Sequence, residues 1–301
     1  MEQIKLFNQQ LTVKNELCSE DPKDIKLSSS KLRLYIKLTD DCNAHCGFCA
    51  NQNSQDYGNI DMDKLKYVIT YLLSKDKLHG ISITGGEPLT HPDKLFQIFD
   101  LIYKLNPNIE VQLSTNGYNL LKLLEYDNIN KLESIHISKH HYNDEINYEI
   151  FKSKNIASSD DISKLSQSLE DKQIININTI IMKEYISNLK EIKNMLEHTA
   201  QLGVYKNGFV SLIRCNEFAK QKYINFNEIF NNLDKSFFKG HHFYHRNYCE
   251  CLCGMYLTKN NKLIEFYARM INNNPCPYTS QLVYTSDNKV TAGFSKKIIY
   301  K

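Results

Sequence analysis

Apolar and polar residues alternate along much of this chain, and the period of the alternation changes at regular intervals. From Leu32 to Leu38 every second residue is leucine or isoleucine, which is the period of a β-strand with one buried face. From Asp61 onward the apolar residues stand three and four positions apart, which is the period of a helix, and the aspartate suits the N-cap. The pattern therefore predicts that a strand and then a helix begin the main fold.

The same order of strand and helix repeats as far as residue 214. The later predicted strands are Ile81–Thr84, Ile109–Ser114, Ile135–Ser138, Ile174–Met182 and Phe209–Arg214, and the later predicted helices are Lys94–Leu105, Leu120–Tyr126, Ile162–Leu169 and Ile186–Leu196. Residues 142–160 are predicted to be a polar connection. Strands joined through helices form a mainly parallel sheet, so we predict an α/β fold built on a partial (β/α)6 barrel. Chemistry in parallel barrels collects at the C-terminal ends of the strands.

The character of the sequence changes twice, which divides the chain into three parts. Residues 1–30 are polar and are predicted to be an N-terminal extension, and residues 31–215 form the predicted barrel. In residues 216–301 a hairpin is predicted from Met255–Thr258 and Leu263–Tyr267 around Asn260–Asn261. We therefore expect a small C-terminal β-hairpin domain that covers the substrate.

Composition and charge narrow the functional classes. The 301 residues carry a net charge of +3 without a long basic block, so no nucleic-acid partner is expected. No apolar run approaches the roughly 20 residues that span a bilayer, and the N-terminus lacks a secretion signal, so we expect a cytoplasmic protein without a membrane partner. Nine cysteines in such a chain favour metal or redox use over disulfides. The protein is therefore expected to be oxygen-sensitive.

Three cysteines follow the first predicted barrel strand with the spacing C-x3-C-x2-C: Cys42, Cys46 and Cys49. A structural zinc site normally closes with four ligands. A [4Fe–4S] cluster held by three cysteines instead keeps one iron open for another ligand. The motif therefore favours a cluster, and half of a zinc site is the alternative.

A second motif, Gly85–Gly86–Glu87–Pro88, ends the second barrel strand, and alone it indicates only a turn. Together with the cysteine spacing and an aromatic residue, Phe48, before the third cysteine, it resembles the radical S-adenosylmethionine (SAM) superfamily. The resemblance implies that SAM chelates the open iron and that Phe48 belongs to the cofactor site. It also implies that the backbone of Gly85 and Gly86 approaches the SAM amino group and that Glu87 contributes charge there.

The resemblance narrows to the branch that includes the cyclic pyranopterin synthases. Four segments carry it: Leu32–Cys49, Ser114–Gly117, Ile135–Ser138 and Ile177–Lys183. It implies that the SAM ribose and carboxylate lie near Ser114, Asn116 and Ser138, and that the ribose or adenine lies near Asn178 and Ile180. Capping of strand ends or core packing is the alternative for each of these residues.

Two residues at strand ends are candidates for contact with the substrate. The planar guanidinium of Arg214 suits the SAM carboxylate or an anionic substrate, and a surface salt bridge is the alternative. The adjacent histidines 140 and 141 point in different directions, which makes them a poor pair of metal ligands. His140 is the candidate for orienting the substrate or moving a proton, and a solvent-facing histidine is the alternative.

Four further cysteines stand near the predicted C-terminal hairpin: Cys249, Cys251, Cys253 and Cys276. The hairpin resembles the small domain, of the twitch or SPASM type, in which many relatives bind an auxiliary iron–sulfur cluster. The C-x-C-x-C spacing departs from that domain, although alternate residues of an extended chain share one face and could supply three ligands. An auxiliary [4Fe–4S] cluster, a zinc ion and metal-free packing therefore all stay open.

The resemblance implies an enzyme that cleaves SAM reductively, forms a 5′-deoxyadenosyl radical and removes hydrogen from a small-molecule or peptide substrate. A reductant such as flavodoxin or ferredoxin would supply the electron. The synthases of this branch end in Gly–Gly, whereas this chain ends Ile298–Lys301, so we expect a different product. The alternative function is a non-catalytic iron–sulfur or zinc protein that senses redox state or docks a partner. The glycine pair and the polar strand ends favour the enzyme.

Overall fold

The computed structural model describes residues 2–13, 31–51, 59–225, 228–229, 242–245, 254–257, 263–267, 279, 281–294 and 297–301. The strands within them are β1 (Glu2–Leu6), β2 (Gln9–Val13), β3 (Leu32–Lys37), β4 (Leu78–Thr84), β5 (Glu110–Thr115), β6 (Ser134–Ser138), β7 (Ile175–Ile181), β8 (Lys206–Ser211), β9 (His242–His245), β10 (Gly254–Leu257), β11 (Leu263–Tyr267), β12 (Gln281–Tyr284), β13 (Val290–Ala292) and β14 (Ile298–Tyr300). The α-helices are α1 (Met62–Ser74), α2 (Pro92–Leu105), α3 (Asp144–Phe151), α4 (Ser159–Ser168), α5 (Leu189–Gln201) and α6 (Glu217–Lys222). Short 3₁₀ helices cover Pro88–Thr90, Leu120–Glu125, Ile129–Lys131 and Lys172–Ile174.

Strands β3 to β8 lie side by side in chain order, and each neighbouring pair is parallel. Helices connect them, as the βα repetition predicts. This arrangement confirms the predicted α/β partial barrel. Because the six strands are parallel, their C-terminal ends lie at the same edge of the sheet, where the candidate motifs also lie.

Each part of the barrel forms for reasons that are visible in the sequence. The Asp61 carboxylate accepts hydrogen bonds from the N–H groups of Asp63 and Lys64, so it caps α1 as predicted. The helix buries the apolar stripe that contains Leu65 and Leu72. Because alternate residues of β3 point to the same side, its apolar set packs in the same core while its polar set faces the other side of the sheet.

The predicted polar connection at 142–160 contains a helix, α3, which the sequence pattern missed. The Asn143 side chain caps it by accepting the N–H of Ile146. The helix is eight residues long and buries only Asn147, Ile150 and Phe151, so its apolar period is too short to recognise. The helix nevertheless matters, because its C-terminal residue contacts the cysteine loop.

The first 13 residues also differ from the predicted polar extension. Strands β1 and β2 pair as a hairpin, and Phe7 and Asn8 at its turn both have positive φ, as a tight two-residue turn requires. The side chains of Ile4 and Val13 are buried in the main core. Short alternation on both sides of an asparagine was the signal for this hairpin.

The predicted C-terminal hairpin is confirmed, since β10 and β11 pair antiparallel. The strands of this region do not stand apart from the barrel, however, because they extend its sheet at both edges. Strand β11 is parallel to β8 at one edge, and β12 is parallel to β3 at the other. In the described part of the chain, no helix has the length and apolar character needed to cross a membrane.

Candidate functional site

The three cysteines lie in a loop that follows the C-terminal end of β3, and we call residues 38–51 the cysteine loop. Cys46 is buried, and its burial, together with the neighbouring thiols of Cys49 and Cys42, raises its pKa to about 12. Burial also raises the pKa of the Cys42 thiol. Cys42 and Cys49 pack against the same small hydrophobic cluster that contains Cys46 and Phe151, so the three cysteines share one apolar environment.

This donor set fits a [4Fe–4S] cluster better than a single ion. Among the described residues, no group of three or more His, Cys, Asp or Glu side chains is placed to chelate one metal ion. A cubane makes a different demand, because each thiolate binds a separate iron. Cys42, Cys46 and Cys49 would hold three irons and leave the fourth open.

The end of β4 packs directly on the cysteine loop through the glycine pair. The N–H of Gly86 donates to the Thr39 carbonyl at 2.7 Å, and the N–H of Glu87 donates to the Asp41 carbonyl at 2.7 Å. A Cβ at Gly85 would stand 2.5 Å from the Thr39 oxygen, and a Cβ at Gly86 only 2.0 Å from the Asp41 oxygen. Glycine is therefore required at both positions for the two strand ends to meet. The approach of this backbone to the SAM amino group stays a prediction.

Glu87 is completely buried and joins the ends of β4 and β5. One carboxylate oxygen accepts the Leu89 N–H at 3.0 Å and the Thr115 hydroxyl at 2.5 Å, and the other accepts the Asn116 N–H at 2.6 Å. Burial outweighs these hydrogen bonds and raises the pKa of Glu87 to about 7. The carboxylate thus connects the ends of β4 and β5 through hydrogen bonds. Its contribution of charge at the SAM amino group stays a prediction.

Asn116 extends this hydrogen-bonded connection from Glu87 to the cysteine loop. Its Nδ2 donates to Asn43 Oδ1 at 3.0 Å and lies 3.8 Å from the Cys42 sulfur, while its Oδ1 accepts the Tyr118 N–H at 2.9 Å. These bonds fix the carboxamide beside the first cysteine. Its predicted place near the SAM ribose or carboxylate stays a prediction.

Three of the predicted SAM contacts share the polar face of the sheet. Ser114, Ser138 and Asn178 are each half-buried; Ser114 and Ser138 lie near the ends of β5 and β6, whereas Asn178 lies in the middle of β7 and pairs across the ladder with Ser138. His136, which the sequence analysis did not single out, pairs with Ser114 on the same face. The alternation of polar residues along β6 was the signal for this histidine.

In the carboxamide of Asn178, the nitrogen has a hydrogen-bond partner and the oxygen has none. Its Nδ2 lies 3.1 Å from Nδ1 of His136, and its Oδ1 is buried without a hydrogen-bond partner. Burial lowers the pKa of His136 to about 4, so the ring is neutral near pH 7, with Nδ1 accepting and Nε2 facing the Ser134 hydroxyl at 2.8 Å. A buried, unpartnered acceptor is costly unless a ligand donates to it, which fits a donor such as a ribose hydroxyl.

His140, predicted at a strand end as a candidate for contact with the substrate, is buried and lies beside the cysteine loop. Its ring stacks on Phe151 at 4.7 Å and meets Phe48 edge-on at 5.3 Å. Its Nδ1 accepts the Ile180 N–H at 3.3 Å, so the ring proton is on Nε2. The structure therefore brings together the predicted residues Phe48, His140 and Ile180.

Arg214 lies beyond the end of β8 and is exposed, with its guanidinium 4.8 Å from the ring centre of Tyr223. The nearby Asn216 fixes the cysteine loop and was not singled out as a site residue from the sequence. The Asn216 side chain donates to the Gly47 carbonyl at 2.9 Å, and the exposed Cys215 thiol lies 3.6 Å from the Phe48 carbonyl. Asn216 also caps α6, and that capping pattern was the signal for it.

The four C-terminal cysteines lie outside the described residues: Cys249, Cys251, Cys253 and Cys276. The predicted auxiliary metal site therefore stays a prediction.

Fold and site together define an iron–sulfur enzyme whose cluster loop follows the first strand of a parallel barrel. The sequence profile described as the radical SAM superfamily matches residues 36–199, which is more than half of the chain. The chain belongs to the radical SAM superfamily, whose members use a [4Fe–4S] cluster and SAM. This membership confirms the predicted enzyme class.

The similar proteins include several named GTP 3′,8-cyclase. The one from Aquifex aeolicus is 28% identical over 222 residues, which cover 70% of this chain and 67% of the relative. The one from Clostridium perfringens strain SM101 is 29% identical over 215 residues, which cover 67% of this chain and 62% of the relative. The alignment therefore leaves about one third of each relative unmatched.

Solved structures support the fold. Streptococcus suis SuiB bound to S-adenosylmethionine superposes with a TM-score of 0.63 at 12% identity, covering 89% of this chain and 62% of SuiB. The anSMEcpe structure with bound AdoMet and the Cp18Cys peptide superposes with a TM-score of 0.59 at 16% identity, covering 88% of this chain and 74% of that chain. At these identities the likeness concerns the fold alone.

Proposed function

We propose that this protein uses SAM to abstract hydrogen from a small-molecule or peptide substrate. The observation that carries the proposal is that the three cysteines pack in one cluster after the first barrel strand, with the glycine pair bonded to their loop. When bound, the cluster and SAM supply one-electron cleavage of SAM and hydrogen abstraction from carbon. The residues of the chain bind, orient and shield these groups.

The proposed SAM site extends from the cysteine loop across the ends of β5 and β6 to β7. Ser114 and Ser138 offer hydroxyl groups there, and Asn178 offers its unsatisfied oxygen. Phe48 and Ile180 supply apolar surface at one end of this face, where the adenine would pack. The backbone of Gly85 and Gly86 and the carboxylate of Glu87 complete the proposed contacts with the SAM amino group.

Two side chains are proposed to act on the substrate. His140 keeps a proton on Nε2 beside Phe48 and Ile180, so it can donate a hydrogen bond or move a proton there. Arg214 is exposed at the end of β8, and its flat guanidinium suits a carboxylate or phosphate. The structures named for peptide complexes, SuiB with SuiA and anSMEcpe with Cp18Cys, make a peptide one reasonable substrate class.

The remaining proposals concern electron supply and location. A flavodoxin or ferredoxin would reduce the cluster, and a cytoplasmic location would provide such a partner. An auxiliary [4Fe–4S] cluster is proposed at Cys249, Cys251, Cys253 and Cys276, where it would carry an electron to or from the substrate. A variant lacking all three barrel cysteines should then still hold about four irons per chain, whereas iron-free protein would rule this cluster out.

The proposal is tested by anaerobic reconstitution of Cys42→Ala, Cys46→Ala and Cys49→Ala, with Cys215→Ala as the matched control. Each of the three variants should lose the barrel cluster and the formation of 5′-deoxyadenosine under dithionite, because two thiolates cannot hold the cubane. The control should keep both. Normal SAM cleavage by any of the three variants would refute the assignment.

A further inference from the structure

The turn between β12 and β13 touches both ends of the segment that carries the three cysteines. We call residues 285–289 the C-terminal turn. We infer that this turn is a clamp that positions the cluster-binding segment, with Ser286 and Asn288 as its positioning residues. The inference rests on the proposed function in one respect, because it takes Cys42, Cys46 and Cys49 to be the cluster ligands.

The first contact lies two residues before Cys42. The Ser286 hydroxyl donates to Oδ2 of Asp40 at 2.8 Å, and Lys37 forms an ion pair with the other oxygen of the same carboxylate. Ser286 is buried, and only 4% of the Asp40 side chain is exposed. A charge in such surroundings needs every partner, so the hydroxyl fixes where the chain enters the cysteine loop.

The second contact lies at the residues directly before α1, which is the next described part of the chain after the cysteine loop. Asn288 Oδ1 accepts the N–H of Asp61 at 2.8 Å, and its Nδ2 donates to the carbonyl of Asn59 at 2.9 Å. The Tyr284 hydroxyl donates to the same Oδ1 at 2.8 Å. Asn288 has φ of 63°, a left-handed conformation that asparagine tolerates well. One side chain therefore holds two backbone groups on the far side of the loop.

The turn has a rigid base for this task. Strand β12 is hydrogen-bonded in parallel to β3, the strand that delivers the cysteine loop, and Tyr284 pairs there with Ile36. Within the turn, the N–H of Thr285 donates to the Lys289 carbonyl at 2.8 Å. The C-terminal turn, which contacts Asp40 and Asp61, therefore follows a strand that is hydrogen-bonded to β3.

The physical consequence concerns iron retention. Residues 38–51 contain no regular helix or strand, so the shape of the cysteine loop depends on contacts made from outside it. Holding the chain on both sides of the cysteines restricts the conformations available to the three thiols, which favours simultaneous binding of three irons. Loosening either end should speed the loss of iron without unfolding the barrel.

The test compares Ser286→Ala and Asn288→Gly with Thr291→Val. Glycine removes the Asn288 carboxamide while accepting the positive φ. Thr291 lies on β13 of the same hairpin and donates to the Gly293 carbonyl at 2.8 Å, so its substitution removes a hydrogen bond that does not reach the cysteine segment. Each protein is reconstituted anaerobically, and the rate of iron transfer to a strong chelator is followed optically.

We expect iron release to be roughly fivefold faster in each of the two clamp variants, about the effect of one lost hydrogen bond, and more than tenfold faster in the double variant. The electron paramagnetic resonance spectrum of the reduced cluster should also broaden as the thiolate geometry varies. The control should match wild type, and all cluster-free proteins should unfold at similar temperatures. Because Ser286→Ala deletes a single oxygen, it gives a result even if Asn288→Gly folds poorly.

Two outcomes separate this inference from the proposed function. If wild-type protein binds no cluster through its three barrel cysteines, the proposed function fails. If wild type holds the cluster but the clamp variants release iron at the wild-type rate, the clamp alone is overturned. Equal acceleration in Thr291→Val would also overturn it, because the effect would then come from general loosening of the hairpin.

Discussion

Replacing Glu87 with glutamine should change how the stability of the protein depends on pH. The carboxylate is completely buried, and its two oxygens accept hydrogen bonds from Leu89, Thr115 and Asn116. Glutamine keeps the shape but turns one oxygen into a donor, so at least one N–H loses its acceptor. That loss should cost about 1–3 kcal/mol at every pH.

The part that depends on pH comes from the charge. Burial raises the pKa of Glu87 from 4.5 to about 7, so the folded protein binds this proton more tightly than the unfolded chain does. The contribution of Glu87 to stability should therefore be greatest below about pH 4.5 and should be lost as the pH rises to about 7. At 1.36 kcal/mol for each pKa unit, the loss is about 3 kcal/mol, and glutamine cannot show it.

The assay is urea unfolding of cluster-free protein, followed by circular dichroism at about pH 5 and about pH 8. The free energy of unfolding of wild type minus that of Glu87→Gln should fall by about 2–3 kcal/mol between the two conditions. Groups shared by both proteins cancel in this difference. Glu149→Gln, which changes an exposed carboxylate on α3, is the matched control and should show little change. A difference for Glu87→Gln that is the same at both pH values would refute the reasoning from burial.

Three other outcomes follow from the site. Gly86→Ala should reduce the iron bound after reconstitution, because its Cβ would stand 2.0 Å from a backbone oxygen of the cysteine loop. The control is Gly80→Ala, whose Cβ would stand 2.9 Å from a flexible arginine side chain. The control should bind iron normally. The half-buried His136 ring should cost wild type at most about 3 kcal/mol of stability as the pH falls from 6.5 to about 4, because burial favours its neutral form. His136→Gln should not show this loss. Equal acid sensitivity of the two proteins in urea unfolding would contradict the prediction. In cluster-free protein near pH 8, iodoacetamide should label the exposed Cys215 well before Cys46, whose pKa is about 12, and peptide mass mapping that found the reverse order would argue against the buried loop.

The barrel could be predicted from sequence because each of its strands and most of its helices repeat a local apolar period. The helix α3 and the N-terminal hairpin were missed because each is too short for such a period to stand out. The pairing of β11 with β8 and of β12 with β3 has no local signal either. The choice of partner depends on which sheet edges remain open after the barrel has formed.

The candidate site divides in the same way. The cysteines and the glycine pair could be identified because residues close together in sequence carry both motifs. The bond from Ser286 to Asp40 joins residues 246 positions apart, and the bond from Asp61 to Asn288 joins residues 227 positions apart. Serine and asparagine are common in turns, so nothing in their own neighbourhood distinguishes these two residues from ordinary turn residues.

The distribution of these contacts along the chain determines when the cluster can enter. The cysteine loop is held by the ends of β4 and β5, by the C-terminal end of α3, by the loop after β8 and by the turn after β12. In a zinc finger the metal drives folding, because the unfolded ligands have no other reason to meet. In this chain, contacts from several elements position the cysteine loop, and burial raises the pKa of Cys42 and Cys46, so protons must leave these two thiols when iron binds. The last of the supporting elements to be synthesised is the pair β12 and β13 with the C-terminal turn between them. Stable cluster insertion should therefore follow folding of the whole sheet, including the strands at both of its edges.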